Sequence, residues 1–205
     1  MAWSIHGQTL GEFLKKARQF GCHIKQSEPF SPWQIMAEGD IRELKRGSGR
    51  KMIRSLSPAK LWDHCIKLET LIRLHTALDI YELQGQVPET LLSGQTTDIS
   101  PFVEHEWYHF VKWFDHGSSY PEPKEVHDRW LGPSTDIVPA MCSKIIKSNG
   151  QIINLSSYQA ITEEEIQEPT QKKLRDKFDS ELIKKLGQPM SEQALHSIDP
   201  TAFTP

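Results

Sequence analysis

Apolar residues recur at helical spacing along the first third of the chain. Leu10, Phe13, Leu14 and Ala17 predict a helix over Thr9 to Phe20, and Gly21 offers its C-terminal stop. Cys22 to Lys25 reads as a short strand, and Glu28-Pro29-Phe30-Ser31-Pro32 forces a loop, because each proline denies helix to the residue before it. A second helix begins near Gln34. It carries Ile41, Leu44, Ser48 and Met52 on one side and Glu38, Arg42, Lys45, Arg46 and Gly49 on another. Ser57-Pro58 reads as the cap and first turn of a third helix, whose stripe is Leu61, Cys65, Leu68, Ile72 and His75, with Trp62 beside it.

From about Asp79 the periodicity weakens. Val87 to Asp98 reads as a polar loop, and residues 117–128 as another. Trp107 to Phe114 fits either a strand or a helix. Trp130 to Pro133, Ala140 to Lys147 and Gln151 to Tyr158 read as short strands, with Ser148-Asn149-Gly150 a hairpin turn between the last two. Beyond Glu163 come an acidic patch, an amphipathic helix over 171–186 and a polar tail with the composition of a disordered segment.

Charge adds an asymmetry to this pattern. The chain of 205 residues has a formal charge of −3. Residues 1–75 hold 13 basic and 7 acidic side chains, whereas residues 76–205 hold 11 basic and 20 acidic ones. A basic front half points to an anionic partner. There is no run of about 18 apolar residues, which argues against a membrane span. The start of the chain lacks a secretory pattern, and three widely spaced cysteines, Cys22, Cys65 and Cys142, read as reduced thiols. The expected location is therefore intracellular, nuclear or cytoplasmic.

The densest chemistry lies between Glu28 and Arg54. A polar-aromatic loop delivers Glu38 onto a helix, and Arg42, Lys45, Arg46, Arg50, Lys51 and Arg54 follow it against the single acid Glu43. A carboxylate followed by cations suits a metal ion and a phosphate backbone beside it. The plainer alternative is an i,i+4 pair of Glu38 with Arg42 on a solvated face. A separate motif, His105-Glu106-Trp107-Tyr108-His109, has the H-E-x-x-H spacing that on a helix brings two imidazoles to one zinc ion with the glutamate as general base. A zinc-dependent hydrolase is thus a competing function, with His116 and His127 as available further ligands. Nine histidines make a chance match unsurprising.

Phe30-Ser31-Pro32-Trp33-Gln34-Ile35-Met36-Ala37-Glu38, followed by the basic helix, resembles the third-carboxylate segment of copia-type retrotransposon integrases. Gly11-Glu12-Phe13, Leu61-Trp62-Asp63, Thr76-Ala77-Leu78-Asp79 and Val87-Pro88-Glu89-Thr90 fit the same resemblance. So does the stretch from Trp130-Leu131-Gly132-Pro133-Ser134 to Asn149-Gly150-Gln151-Ile152-Ile153, which is similar to the small β-barrel after the integrase core. The resemblance implies an α/β chain in three parts. Residues 1–88 would be the C-terminal part of a ribonuclease-H-like core, mostly its helices. Residues 100–160 would be the small β-barrel, and 161–205 an acidic, amphipathic, partly disordered tail. It also implies DNA integration as the family activity, DNA as a non-specific partner of the basic helix, and Glu38 as both catalytic glutamate and metal ligand.

The family holds Mg2+ (or Mn2+) with two aspartates and one glutamate, because two ions about 4 Å apart need several carboxylates. Here the second aspartate position falls near Ala2 and Trp3. The first aspartate in the chain is Asp40, and the only acids before Glu38 are Glu12 and Glu28. Ile35 also stands where the pattern has asparagine. The chain is expected to be catalytically incomplete alone: a truncated integrase, or else a non-catalytic DNA-binding or interaction module. Another chain would complete the core and cover the apolar helix faces that the missing sheet leaves open.

Overall fold

The basic stretch forms one long helix, α1 (Met36–Ser55, 20 residues), uninterrupted by Gly39, Gly47 or Gly49. The computed structural model describes residues 15, 19, 36–77, 83–117, 121, 124–137 and 141–191. The strand expected at Cys22–Lys25, the motif Phe30–Ile35 and the end of the tail lie outside them. So does the helix expected over Thr9–Phe20, apart from Lys15 and Gln19, both helical. Contacts divide the chain into two units, Met1–Ile41 and Arg42–Pro205. The boundaries expected near residues 88, 100 and 161 therefore all fall inside the second unit.

In that unit α1 packs through small residues. Ser48, Gly49 and Met52 are buried. Gly49, expected among the charged residues, is thus buried, and beside it Ser48 meets a neighbouring helix. That neighbour is α2 (Trp62–Leu74), entered through a 3-10 turn at Ala59–Leu61. Cys65, fully buried, donates its Sγ–H to the Ser48 carbonyl at 3.5 Å. Burial pushes the Cys65 thiol up to about 12, so it packs as a small apolar group.

Ser57 does not cap α2, contrary to its Ser-Pro signal. Its hydroxyl accepts the buried Trp107 Nε1–H at 3.0 Å, and the N-cap position is Leu61, without a side-chain cap. A buried indole donor needs a partner more than an exposed helix end does.

A carboxylate sits at the α1–α2 crossing. Glu69 of α2 is 7% exposed and accepts from Lys51 Nζ at 2.7 Å and Arg73 Nε at 3.0 Å. Burial alone would raise its pKa, but the bonds from Lys51 and Arg73 outweigh that and hold it below the usual carboxylate range. A Cβ added to Gly47 would lie 2.5 Å from Glu69 Oε1, whereas one added to Gly39 meets nothing within 4 Å. Alanine normally stabilises a helix interior by up to about 1 kcal/mol over glycine. Gly39→Ala should therefore raise the melting midpoint, and Gly47→Ala should lower it by pushing Glu69 off both cations. Equal midpoint shifts in the two variants would contradict this crossing.

The polar stretch after Val87 contains a short helix, α3 (Pro88–Ser93), where a loop was expected; Pro88 pre-sets its first turn and Gly94 ends it. Helix α4 (Ser100–Val103) precedes a five-stranded antiparallel sheet. Its strands are β1 (Phe110–Phe114), β2 (Glu125–Pro133), β3 (Ser143–Ile146), β4 (Ile152–Leu155) and β5 (Gln159–Ala160). The order is β4-β3-β2-β1-β5, so four strands meander and the fifth returns beside the first. The ambiguous Trp107–Phe114 stretch resolves as a turn, then a strand. The loop expected over 117–128 gives way to β2 at Glu125, because Val126 and Asp128 continue the register against Trp113 and Val111. The Ser148-Asn149-Gly150 turn joins β3 to β4 as expected.

Register shifts between Trp130 and Gly132 of β2. Gly132 has φ +115°, and a Cβ there would lie 3.3 Å from Leu68 Cδ1. The irregularity thus brings α2 close to the strand. Cys65 and Leu68 are buried in the same core as Trp130, Ile145 and Phe178. The α2 stripe, expected to lie open without its family sheet, is covered by this one.

Residues 161–191 are not an appendage. Helix α5 (Glu163–Gln167) starts with a capping box between Thr162 and Glu165, and α6 (Pro169–Leu186) buries Phe178 and Leu182. Arg129 of β2 donates to Asp179 of α6 and to the Tyr108 carbonyl, with its guanidinium 4.5 Å from the Tyr108 ring centre. The chain is therefore mixed α/β, with helices and a small antiparallel sheet. Among the described residues no helix is long and apolar enough to cross a membrane.

Candidate nucleic-acid interface

The six cations expected to meet DNA all lie on α1 and differ in what holds them. Arg42, Arg46, Arg50 and Arg54 follow one another every fourth residue, so they form a single row along the helix. That row is legible in the sequence as R-x-x-x-R-x-x-x-R-x-x-x-R. Arg46 donates to Glu43 at 3.0 Å and is 21% exposed. Arg54 reaches Glu106 at 3.1 Å with both side chains open to water, a pairing worth little. Arg42 and Arg50 are exposed, and neither has an ion pair among the described residues.

The other two cations flank the packed side. Lys51 is committed to Glu69 at the helix crossing. Lys45 is half-buried, without an ion pair among the described residues, and its carbonyl accepts the Ser48 hydroxyl at 3.1 Å. The row is supported from behind: Arg73 of α2 donates to the Glu43 carbonyl at 3.2 Å as well as to Glu69. Arg42 and Arg50 are thus carried by a helix whose position is fixed by bonds they do not make.

Glu38 is exposed in the first turn of α1, in the unit Met1–Ile41. Among the described residues no three His, Cys, Asp or Glu side chains come together as a metal-binding group.

The H-E-x-x-H stretch does not form the helix that the zinc reading requires. Residues 107–108 are a turn between α4 and β1, and Tyr108 adopts φ +65°. Tyr108 N–H donates to the Trp130 carbonyl at 3.1 Å, and Trp130 N–H donates to the His109 carbonyl at 2.9 Å. The backbone is thereby drawn into the sheet. The motif glutamate, Glu106, faces Arg54 instead of the imidazoles. His105 and His109 stack with ring centres 5.7 Å apart, and His105 meets the Trp130 edge at 5.4 Å. Burial pulls the His105 pKa down; nearby Glu104 opposes that and His109 adds to it. These imidazoles are packing groups of the sheet's flank. Of the two other histidines, His127 stacks on Phe110 at 5.7 Å and His116 is exposed in the turn after β1.

Comparison of the chain with family models, with curated proteins and with solved structures gave no match.

Proposed function

We propose that the chain is part of a copia-type retrotransposon integrase and binds duplex DNA without sequence preference through α1. The observation that carries this reading is the arginine row. Like charges at i,i+4 spacing destabilise a helix unless something anionic meets them. Glu43 answers Arg46 and Glu106 answers Arg54, while Arg42 and Arg50 have no ion pair among the described residues. Four residues of helix rise about 6 Å, close to two steps of about 3.4 Å along one DNA strand. Such a row suits a repeating phosphate backbone, which positions a protein without reading bases.

The β4-β3-β2-β1-β5 order and the irregularity at Gly132 support reading the sheet as the small β-barrel of the same family. The helices before it would then be the end of the ribonuclease-H-like core, with Glu38 its third carboxylate. The Mg2+ or Mn2+ pair of that family does not fit the residues present. Apart from Glu38, the only acids in the unit Met1–Ile41 are Glu12, Glu28 and Asp40, none at a family ligand position. No step of strand transfer is therefore assigned to the residues of this chain.

The test is a titration of labelled duplex DNA over a series of salt concentrations. Replacing Arg42, Lys45 and Arg50 by Gln should weaken binding and flatten the slope of log K against log salt by about 0.9 for each phosphate no longer neutralised. Thermal melts should stay near wild type, since none of the three is fully buried or ion-paired among the described residues. A variant that titrates like wild type would remove α1 as the interface.

A further inference from the structure

Two segments from opposite ends of the chain are joined beyond the C-terminus of α1. Pro58 and Pro189 form an antiparallel bridge. Ala59 N–H donates to the Gln188 carbonyl, and Met190 N–H to the Ser57 carbonyl, each at 3.1 Å. Both sides are anchored inside, since Ser57 is fully buried and Met190 is 6% exposed.

Three lysines lie close to this seam along the chain. Lys60 follows Ala59 directly, and Lys184 and Lys185 occupy the last turn of α6. All three are exposed, and none has an ion pair among the described residues. The sheet uses its cations differently: Lys112 binds Glu165 and Lys144 binds Asp136, each at 2.6 Å, while Arg129 is held by Asp179. The acids nearest the seam along the chain are Glu192, two residues beyond Met190, Asp63, 3.9 Å from His64, and Glu181, one turn before the two lysines. The seam follows within a few residues of Arg54, the last member of the arginine row.

We propose that Lys60, Lys184 and Lys185 are a second phosphate-binding surface, so that a DNA duplex lying on α1 is also held at the Pro58–Pro189 seam. The choice of duplex DNA as partner rests on the α1 reading; the second surface rests on the seam's own free cations. Lysine serves as a mobile point charge toward phosphates, without the fixed fork that base recognition exploits. The seam therefore adds affinity and orientation, not sequence preference.

The experiment uses the full chain, labelled duplex DNA and a salt series. It compares wild type with Arg42→Gln/Arg50→Gln, with Lys60→Gln/Lys184→Gln/Lys185→Gln, and with Glu181→Gln. The seam variant should bind more weakly, with a slope shallower by about 0.9 for each phosphate it ceases to neutralise, and Glu181→Gln should bind more tightly than wild type. A seam variant that titrates like wild type overturns the inference, and the α1 reading then stands or falls on its own variant. A weakened seam variant beside an unaffected α1 variant supports the seam and removes the α1 reading. Absence of binding by wild type removes both. Should the seam variant fail to melt cooperatively, Glu181→Gln decides: no tightening overturns the proposal.

Discussion

Trp130→Ala should cost about 3–5 kcal/mol, while Trp62→Ala should change stability by less than about 0.5 kcal/mol. Both residues are tryptophans within predicted elements, yet only Trp130 is fully buried; Trp62 is 53% exposed on α2. Trp130 lies where β2 changes register, and its backbone makes two bonds that tie the 105–109 turn to the sheet. Its ring also meets that of His105 at nearly a right angle, centres 5.4 Å apart. Removal leaves a cavity against a residue that has itself been dehydrated. With total stabilities of domains at about 5–15 kcal/mol, a loss of this size removes a large share. Denaturant unfolding of the two variants checks it. A second readout comes from His105: re-solvation in Trp130→Ala should let its depressed pKa rise toward the ordinary histidine value, visible by imidazole NMR wherever the variant remains folded. Equal midpoints for the two variants would place Trp130 outside the core.

The second large effect is a pH dependence carried by Asp128. This side chain is 2% exposed in β2, and Trp113 Nε1–H donates to its Oδ2 at 2.6 Å. Burial pushes its pKa up to about 6, against the Trp113 bond and the Lys147 charge, which both act downward. A carboxyl that binds its proton more tightly folded than unfolded makes the fold more stable as pH falls from above 6 toward the unfolded value of 3.8. The gain approaches about 3 kcal/mol across that window, with about half of it reached near pH 5. Asp128→Asn can still accept the Trp113 bond and has no proton to take up. The difference in unfolding free energy between wild type and Asp128→Asn should therefore move in favour of wild type on going from about pH 8 to about pH 5. Using that difference cancels the other titrating groups, including His105 and His127, whose depressed pKa values work in the opposite direction. A difference that stays flat with pH would mean the carboxyl is not dehydrated.

Local pattern makes the long helices and the β3–β4 hairpin legible in the sequence. Leu61, Cys65 and Leu68 are buried as their spacing requires, and Asn149-Gly150 turns the chain where two apolar runs meet. What could not be read depends on partners distant in sequence. Ser57 looks like a cap until Trp107, fifty residues away, claims its hydroxyl. Gly49 falls among the charged residues on a helical wheel, yet it is buried. Asp128 reads as a loop residue because acids are rare inside sheets, and only Trp113 opposite makes its place intelligible. In the candidate interface the cations themselves were legible. Their division into committed ones, such as Lys51, and available ones, such as Arg50, was not, since it is decided by Glu69 on another helix.

The pairing of Ser57 and Ala59 with Met190 and Gln188 also bears on the order in which the molecule forms. These bonds join stretches more than a hundred residues apart, so they close one of the longest loops among the described residues. During synthesis from the N-terminal end, the Ala59 N–H and the Ser57 carbonyl lack these partners until residues 188–190 have been made. α1, α2 and the sheet must wait with their shared core unsealed. Closing such a non-local pairing last favours slow folding and a long-lived, sticky intermediate over fast local assembly.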